Sequence, residues 1–153
     1  MRPPSTRHAI ISQSQEDAWF ALLYTHAALT ARIEAVLMER HKISFSAFEI
    51  LCRLQDLEPQ PVRALAGELV SVSPTRASRL VQELIDRGHL RRSADQDDGR
   101  ISLIGFTDEG RRYADTVAET FEEAVQQHFV APLGEQDIAA LIRIWRKLEA
   151  TEG

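Results

Sequence analysis

Ser73-Pro-Thr-Arg-Ala-Ser-Arg-Leu80, running on through Val81-Gln-Glu-Leu-Ile-Asp-Arg-Gly88, is the stretch whose reading decides the fold. Ser73 is a natural N-cap, and Pro74 suits the first helical position, where no backbone donor is needed. Gly88 supplies the stop. Between them Ala77, Leu80, Val81 and Leu84 recur at i, i+3, i+4, i+7, which predicts one inward apolar face. At about 100° per residue the opposite face carries Thr75, Ser78, Arg79, Gln82 and Asp86, with Arg76 on its flank. Those are groups that hydrogen-bond base edges or phosphates, and a helix has the width of a DNA major groove. The same residues also describe an ordinary solvated helix face, so the helix alone leaves both readings open.

The segment that follows separates them. His89 to Ser93 and Ile101 to Phe106 read as two short strands, and Ala94-Asp-Gln-Asp-Asp-Gly99 provides Asp and Gly for the turn between them. Arg100 closes that turn, so a cation stands near the tip of a protruding hairpin, suited to a narrow minor groove of strongly negative potential. A helix, a sharp stop and an arginine-tipped hairpin together describe a winged helix-turn-helix.

The run Asp98-Gly-Arg100-Ile-Ser-Leu-Ile-Gly-Phe106-Thr107 resembles the wing signature of the multiple antibiotic resistance regulator (MarR) family, which is usually Asp-x-Arg, five residues, then Leu-Thr; here Phe106 replaces the leucine. Ser73 to Leu80 and Leu84-Ile-Asp-Arg-Gly-His-Leu90 are similar to that family's recognition helix and wing start. The resemblance spans about Trp19 to Leu148. It implies a mainly α fold with a small antiparallel β-hairpin wing, flanked by N- and C-terminal helices that interdigitate with a second copy. It also implies a homodimeric repressor on a pseudo-palindromic stretch of double-stranded DNA, its two recognition helices about one DNA turn apart.

Upstream, Met1 to Gln13 has no clear period and reads as a slightly basic, mobile arm. Ser14 is the expected cap of a long helix to about His41, with Glu16 and Asp17 in its first turn. Ser46-Ala-Phe-Glu49 reads as a capping box with Phe45 and Ile50 as its staple, and this second helix runs to about Leu57. Pro61 opens a third helix whose Val62, Leu65, Ala66 and Leu69 face inward, and Val70 to Ser73 form the turn before the recognition helix. After the wing, Thr107 caps a helix broken at Pro132 and Gly134, and a last helix covers Glu135 to about Ala150. The expected division is therefore an arm at 1–13, helical dimerisation segments at 14–42 and 107–153, and the winged helix-turn-helix at 43–106. The outer helices have apolar faces too extensive for so small a core to cover, which calls for a partner.

Composition sets the bounds. With 153 residues, 44% hydrophobic and 27% charged, the chain describes a globular protein with no apolar run expected to span a bilayer. The lone Cys52 excludes an internal disulfide framework and suits a reducing cytoplasm. The net charge of −5 argues at first against nucleic acid. Its distribution argues otherwise: residues 60–106 hold seven arginines against six acids, whereas residues 107–153 hold five basic against ten acidic groups. Affinity for DNA should therefore depend on a few placed arginines and fall steeply with salt.

Arg79, Ser78, Thr75 and Gln82 are the candidate base readers, Arg76 and Arg63 the candidate phosphate contacts, and Arg100 the minor-groove residue. Arg91 and Arg92 support the wing from its stem, and Ser73 and Asp98 complete the surface. No enzyme signature is present: there is no glycine-rich phosphate loop, no His-Glu-x-x-His, no paired cysteines, and no cofactor or metal motif. The resemblance further implies a small aromatic or anionic effector between the dimer helices and the DNA-binding lobe. Trp19, Tyr24, His26, Phe48 and Cys52 are the candidate lining residues, with core packing the alternative for Trp19 and Phe48 and an inert thiol the alternative for Cys52. A winged-helix module that binds protein through its acidic helices, without DNA, is the alternative function.

Overall fold

The computed structural model describes residues 10–55, 59–69 and 72–150. The elements run α1 (Gln13–His41), α2 (Phe45–Gln55), β1 (Gln60–Pro61), α3 (Val62–Glu68), α4 (Pro74–Asp86), β2 (Leu90–Ala94), β3 (Ser102–Phe106), α5 (Asp108–Val125), a π-helical turn (Gln126–Val130) and α6 (Glu135–Glu149). The fold is mainly α with a small antiparallel sheet. Most of the expected arm, Met1 to Ala9, and part of the expected turn, Val70 and Ser71, lie outside the described residues, as do Asp56 to Glu58 at the expected end of α2.

Local signals place the lobe that carries α4. Ser73 caps α4 by accepting from the Arg76 backbone N–H, and Gly88, at φ 79°, allows the chain to reverse into β2. Ala77, Val81 and Leu84 are buried as the apolar spacing requires. β2 pairs antiparallel with β3 from Leu90↔Phe106 to Ala94↔Ser102, one residue later at each strand start than the sequence suggests. A third strand has no signal in the sequence. β1 pairs Gln60↔Ile104 and Pro61↔Leu103 on the other side of β3, and proline is tolerated there because the strand lies at the sheet edge.

One core runs through the molecule. Leu37 of α1, Ile50 and Leu51 of α2, Leu65 of α3, Val81 and Leu84 of α4, Ile104 of β3 and Val117 of α5 are all fully buried within it. Phe48 lies against Phe121 at 4.8 Å between ring centres, so α2 and α5 are joined by an aromatic pair.

Two caps differ from expectation. Ser12, not Ser14, caps α1, because Ser12 and Gln15 satisfy each other's backbone donors reciprocally, while Ser14 already lies inside the first turn. Ser44, not Ser46, caps α2: its hydroxyl accepts from Ala47 N–H at 3.1 Å, and Ser46 is buried. Starting at Phe45 turns Phe48, Ile50 and Leu51 inward, and the Phe45 ring faces Phe121.

The terminal helices are left with bare apolar surface. Within α1 only Ile33 and Leu37 are buried, while Trp19 and Tyr24 are more than half exposed; α6 has no buried residue, and Ile142, Ile144, Trp145 and Leu148 face out. Contrary to the expectation of no membrane-length apolar run, α1 is long and apolar enough to cross a bilayer by length and composition, with an 18-residue window of mean hydropathy 1.2. Its charge-free stretch, however, extends only from Ala18 to Ala31, between Asp17 and Arg32. At about 1.5 Å per residue that is shorter than the roughly 30 Å of a hydrocarbon core, and matches a helix that packs against protein.

Candidate nucleic-acid interface

Three elements converge on one cleft of about 980 Å³: the start of α3, the start of α4 and the wing formed by β2, β3 and their connection. Arg63 enters from α3, Pro74 and Ser78 from α4, and Arg92, Arg100 and Ile101 from the wing. All three arginines are exposed, and with no acidic residue among the described lining residues their guanidinium charges leave a positive furrow. On the α4 side of this furrow Thr75, Arg76 and Arg79 are exposed on the outward face of the helix.

The tip of the wing is fixed by its own aspartates. The Asp95 carboxylate accepts from the N–H groups of Asp97 and Asp98 at 2.7 and 3.1 Å, and Asp98 in turn accepts from the Arg100 N–H at 3.0 Å. Backbone bonds from Asp95 N–H to Ile101 and from Ile101 N–H to Asp98 close the loop. The Asp95 and Asp98 carboxylates are thus engaged with main chain, and Arg100 beside them is exposed. Asp98 is a turn-forming residue here. The sequence singles it out, but the larger share of the tip falls to Asp95.

The remaining candidates divide by what they touch. Ser73 is committed to its capping bond, and the Ser78 hydroxyl donates to the Pro74 carbonyl at 3.1 Å. Arg91 turns back to the Phe106 carbonyl at 3.2 Å, bracing the stem of the wing. Gln82 is engaged at both ends of its amide: its Nε2 donates to Asp86 at 2.8 Å and its Oε1 accepts from Arg92 at 3.0 Å. Gln82 therefore ties α4 to the wing, a role invisible in the helical wheel because its partner belongs to another element.

Arg87 has a different environment from its neighbours. Its guanidinium donates to the carbonyls of His41 and Lys42 and to the Tyr113 hydroxyl, away from the cleft. Beside it His89 is buried and stacks on Tyr113 at 3.8 Å and 4° between planes. Burial, then the Arg87 charge, lowers the His89 pKa below its usual 6.5 against a smaller opposing effect of Glu109; burial raises that of Tyr113.

The effector candidates are not gathered into one wall. Trp19, Tyr24 and His26 are exposed along α1, Phe48 is in the core, and Cys52 is half-buried on α2. Of the five only His26 lines the hollow of about 420 Å³ between α1 and the start of α2, together with Thr30, Glu34, Phe45 and Ser46. The aromatic periodicity of α1 marks a face that stays exposed among the described residues, and one chain's sequence does not distinguish such a face from a ligand wall.

Comparison with known proteins bears on this arrangement. The model of the MarR family matches residues 43–102, from the end of α1 across the cleft and into the wing. Those residues are a MarR-family domain. The likeness in fold extends over the flanking helices as well. AbsC, a MarR family transcriptional regulator from Streptomyces coelicolor, superposes with a TM-score of 0.81 at 22% identity, covering 95% of this chain and 97% of that one. Sco3205, a MarR family transcriptional regulator from the same organism solved in complex with DNA, superposes with a TM-score of 0.82 at 19% identity, covering 95% and 91%. In sequence, the uncharacterized HTH-type transcriptional regulator YwaE of Bacillus subtilis strain 168 is 24% identical over 120 residues, or 78% of this chain and 69% of YwaE. The MarR-family domain thus contains the helix, the stop, and the first strand and tip of the wing, and the solved relatives share the surrounding helical frame.

Proposed function

We propose that this MarR-family chain is a sequence-specific, double-stranded DNA-binding transcriptional regulator, a cytoplasmic homodimeric repressor of a pseudo-palindromic operator. The observation that carries the reading is the cleft in which Arg63, Arg92 and Arg100 converge beside the exposed face of α4. In this reading α4 lies in the major groove, where Arg79 and Thr75 meet base edges and Arg76 meets a phosphate; Arg63 and Arg92 hold the adjoining backbone; and Arg100 enters the minor groove. Gln82 serves the wing brace rather than a base.

The bare apolar faces of α1 and α6 support the dimer, because water is a poor neighbour for Trp19, Trp145 and Leu148 and a second copy offers the complementary surface. The hollow beside His26, Thr30 and Phe45 is the effector site of this reading, and the Glu34 carboxylate on its wall favours an uncharged aromatic molecule over an anion. Sequencing the DNA retained by the protein from a random pool tests the proposal directly. Enrichment of an inverted repeat with half-sites about one turn apart is expected. A pool that emerges unenriched would refute it.

A further inference from the structure

Of the seven arginines between residues 60 and 106, six are exposed and one, Arg87, is half-buried. It is the C-cap of α4, and its planar fork reaches out of the lobe that α4 belongs to. Nη1 donates to the Lys42 carbonyl at 3.0 Å, and Nη2 donates to the His41 carbonyl and the Tyr113 hydroxyl at 3.1 Å each. Tyr113 on α5 donates its own hydroxyl to the same His41 carbonyl at 2.8 Å. Lys42 adopts the left-handed conformation that ends α1, so these acceptors are terminal carbonyls at the negative end of a 29-residue helix. A cation at that end is doubly favourable, through the dipole and through hydrogen bonds that no helical N–H supplies.

We infer that Arg87 is a positioning residue for DNA recognition, locking the recognition helix α4 onto the C-terminus of α1 and so setting the separation of the two recognition helices in the dimer, without touching DNA. The inference rests on the function proposed above. Its physical basis is the number and direction of the bonds: three acceptors on two elements meet one rigid guanidinium, a geometry that a flexible lysine ammonium does not reproduce. The guanidinium carbon also lies 5.4 Å from the centre of the Tyr113 ring, which stacks on His89 at the root of the wing and meets the His41 ring edge-on. Helix α1, which presents the bare apolar face, and the helix that faces the cleft therefore move as one body while this joint is intact.

The test compares wild type, Arg87→Gln and Tyr113→Phe on the selected operator and on versions with one base pair added to or removed from the spacer, across a salt series, each variant first shown by its thermal melt to be folded. Both variants should lose on the order of tenfold in affinity for the native spacing, the size of a lost charge-assisted hydrogen bond, with a smaller loss on an altered spacer and an unchanged salt slope. A lower slope for Arg87→Gln, with equal loss on every spacer, would make Arg87 a phosphate contact and overturn the inference. Equal loss on every spacer with the slope unchanged would make the joint merely structural, and unaltered affinity in both variants would make it idle. Failure of the wild type to retain any DNA would instead refute the function proposed above.

Discussion

Removing the cation from the tip of the wing gives the sharpest quantitative test of the interface. Arg100 is exposed, its backbone N–H is held by Asp98, and Asp98 and Asp97 are held by Asp95, so Arg100→Ala deletes a charge from a tip whose shape does not depend on that side chain. In a dimer the change removes two cations from the DNA surface. Each phosphate neutralised contributes about 0.9 to the slope of log affinity against log salt, so the slope should become shallower by about 1.8. Between about 50 and 200 mM salt the ratio of wild-type to variant affinity should therefore shrink by roughly twelvefold.

Fluorescence anisotropy titrations at four or more salt concentrations, on the selected operator and on a scrambled duplex, read both quantities. The variant should lose roughly 1 to 3 kcal/mol on specific and nonspecific DNA alike, because the contact is to the shape and potential of the minor groove rather than to a base pattern. Parallel log–log lines for wild type and variant would show that the tip meets no phosphate, and the wing would then have no part in binding.

Other perturbations test the frame that holds the interface. A Cβ on Gly110 would overlap the His89 carbonyl oxygen where α5 meets the root of the wing, so Gly110→Ala should destabilise the fold by about 3 kcal/mol or more in urea unfolding. Phe48→Ala should cost about 3 to 5 kcal/mol in the same assay, since Phe48 is only 4% exposed and packs on Phe121; a change below about 1 kcal/mol would return it to the ligand wall. His89 has a depressed pKa in the folded state, so stability is complete above its unfolded value of 6.5 and declines as pH falls below that value, where the unfolded chain takes up a proton that the fold resists. The melting temperature of wild type should accordingly fall more between about pH 7.5 and pH 5.5 than that of His89→Phe, which keeps a ring on Tyr113 without the titration; equal falls would contradict the assignment. Ser73→Ala should cost about 1 kcal/mol of stability through loss of the α4 cap.

What the sequence reveals follows the range of the forces involved. The bounds of α4, the stop at Gly88 and the Thr107 cap of α5 are set by groups within a few residues of one another, and each is legible as a pattern. The choice between Ser44 and Ser46 is not, because both are capable caps and the decision belongs to the remote core that draws Phe48 inward. Strand β1 escapes for the same reason: Gln60 and Pro61 have no strand period, and their pairing is with Leu103 and Ile104 far along the chain. The arginines make the limit plainest. Arg76, Arg79, Arg87 and Arg92 are one residue type within a short segment. The apolar spacing already turns Arg79 outward, but only the packed chain shows that Arg92 braces Gln82 and Arg87 grips α1.

That distinction changes how the net charge should be read. A protein with a formal charge of −5 is a poor partner for a polyanion if its charges act as a sum, and a suitable one if a few cations stand apart from the acids. Here the separation is structural. Asp95 and Asp98, beside the wing cation, are engaged by backbone N–H groups, and Arg63, Arg92 and Arg100 line a single furrow. Arg87 is withdrawn from it to hold α1. Using an arginine in this way leaves one fewer cation for DNA, and any shift of the long helix reaches α4 through the two hydrogen bonds from Arg87 to the α1 terminal carbonyls instead of through a flexible turn. An exposed charge would neutralise one more phosphate; a half-buried one couples α1, whose apolar face would receive a second copy in the proposed dimer, to α4, the helix that reads DNA in the proposed function.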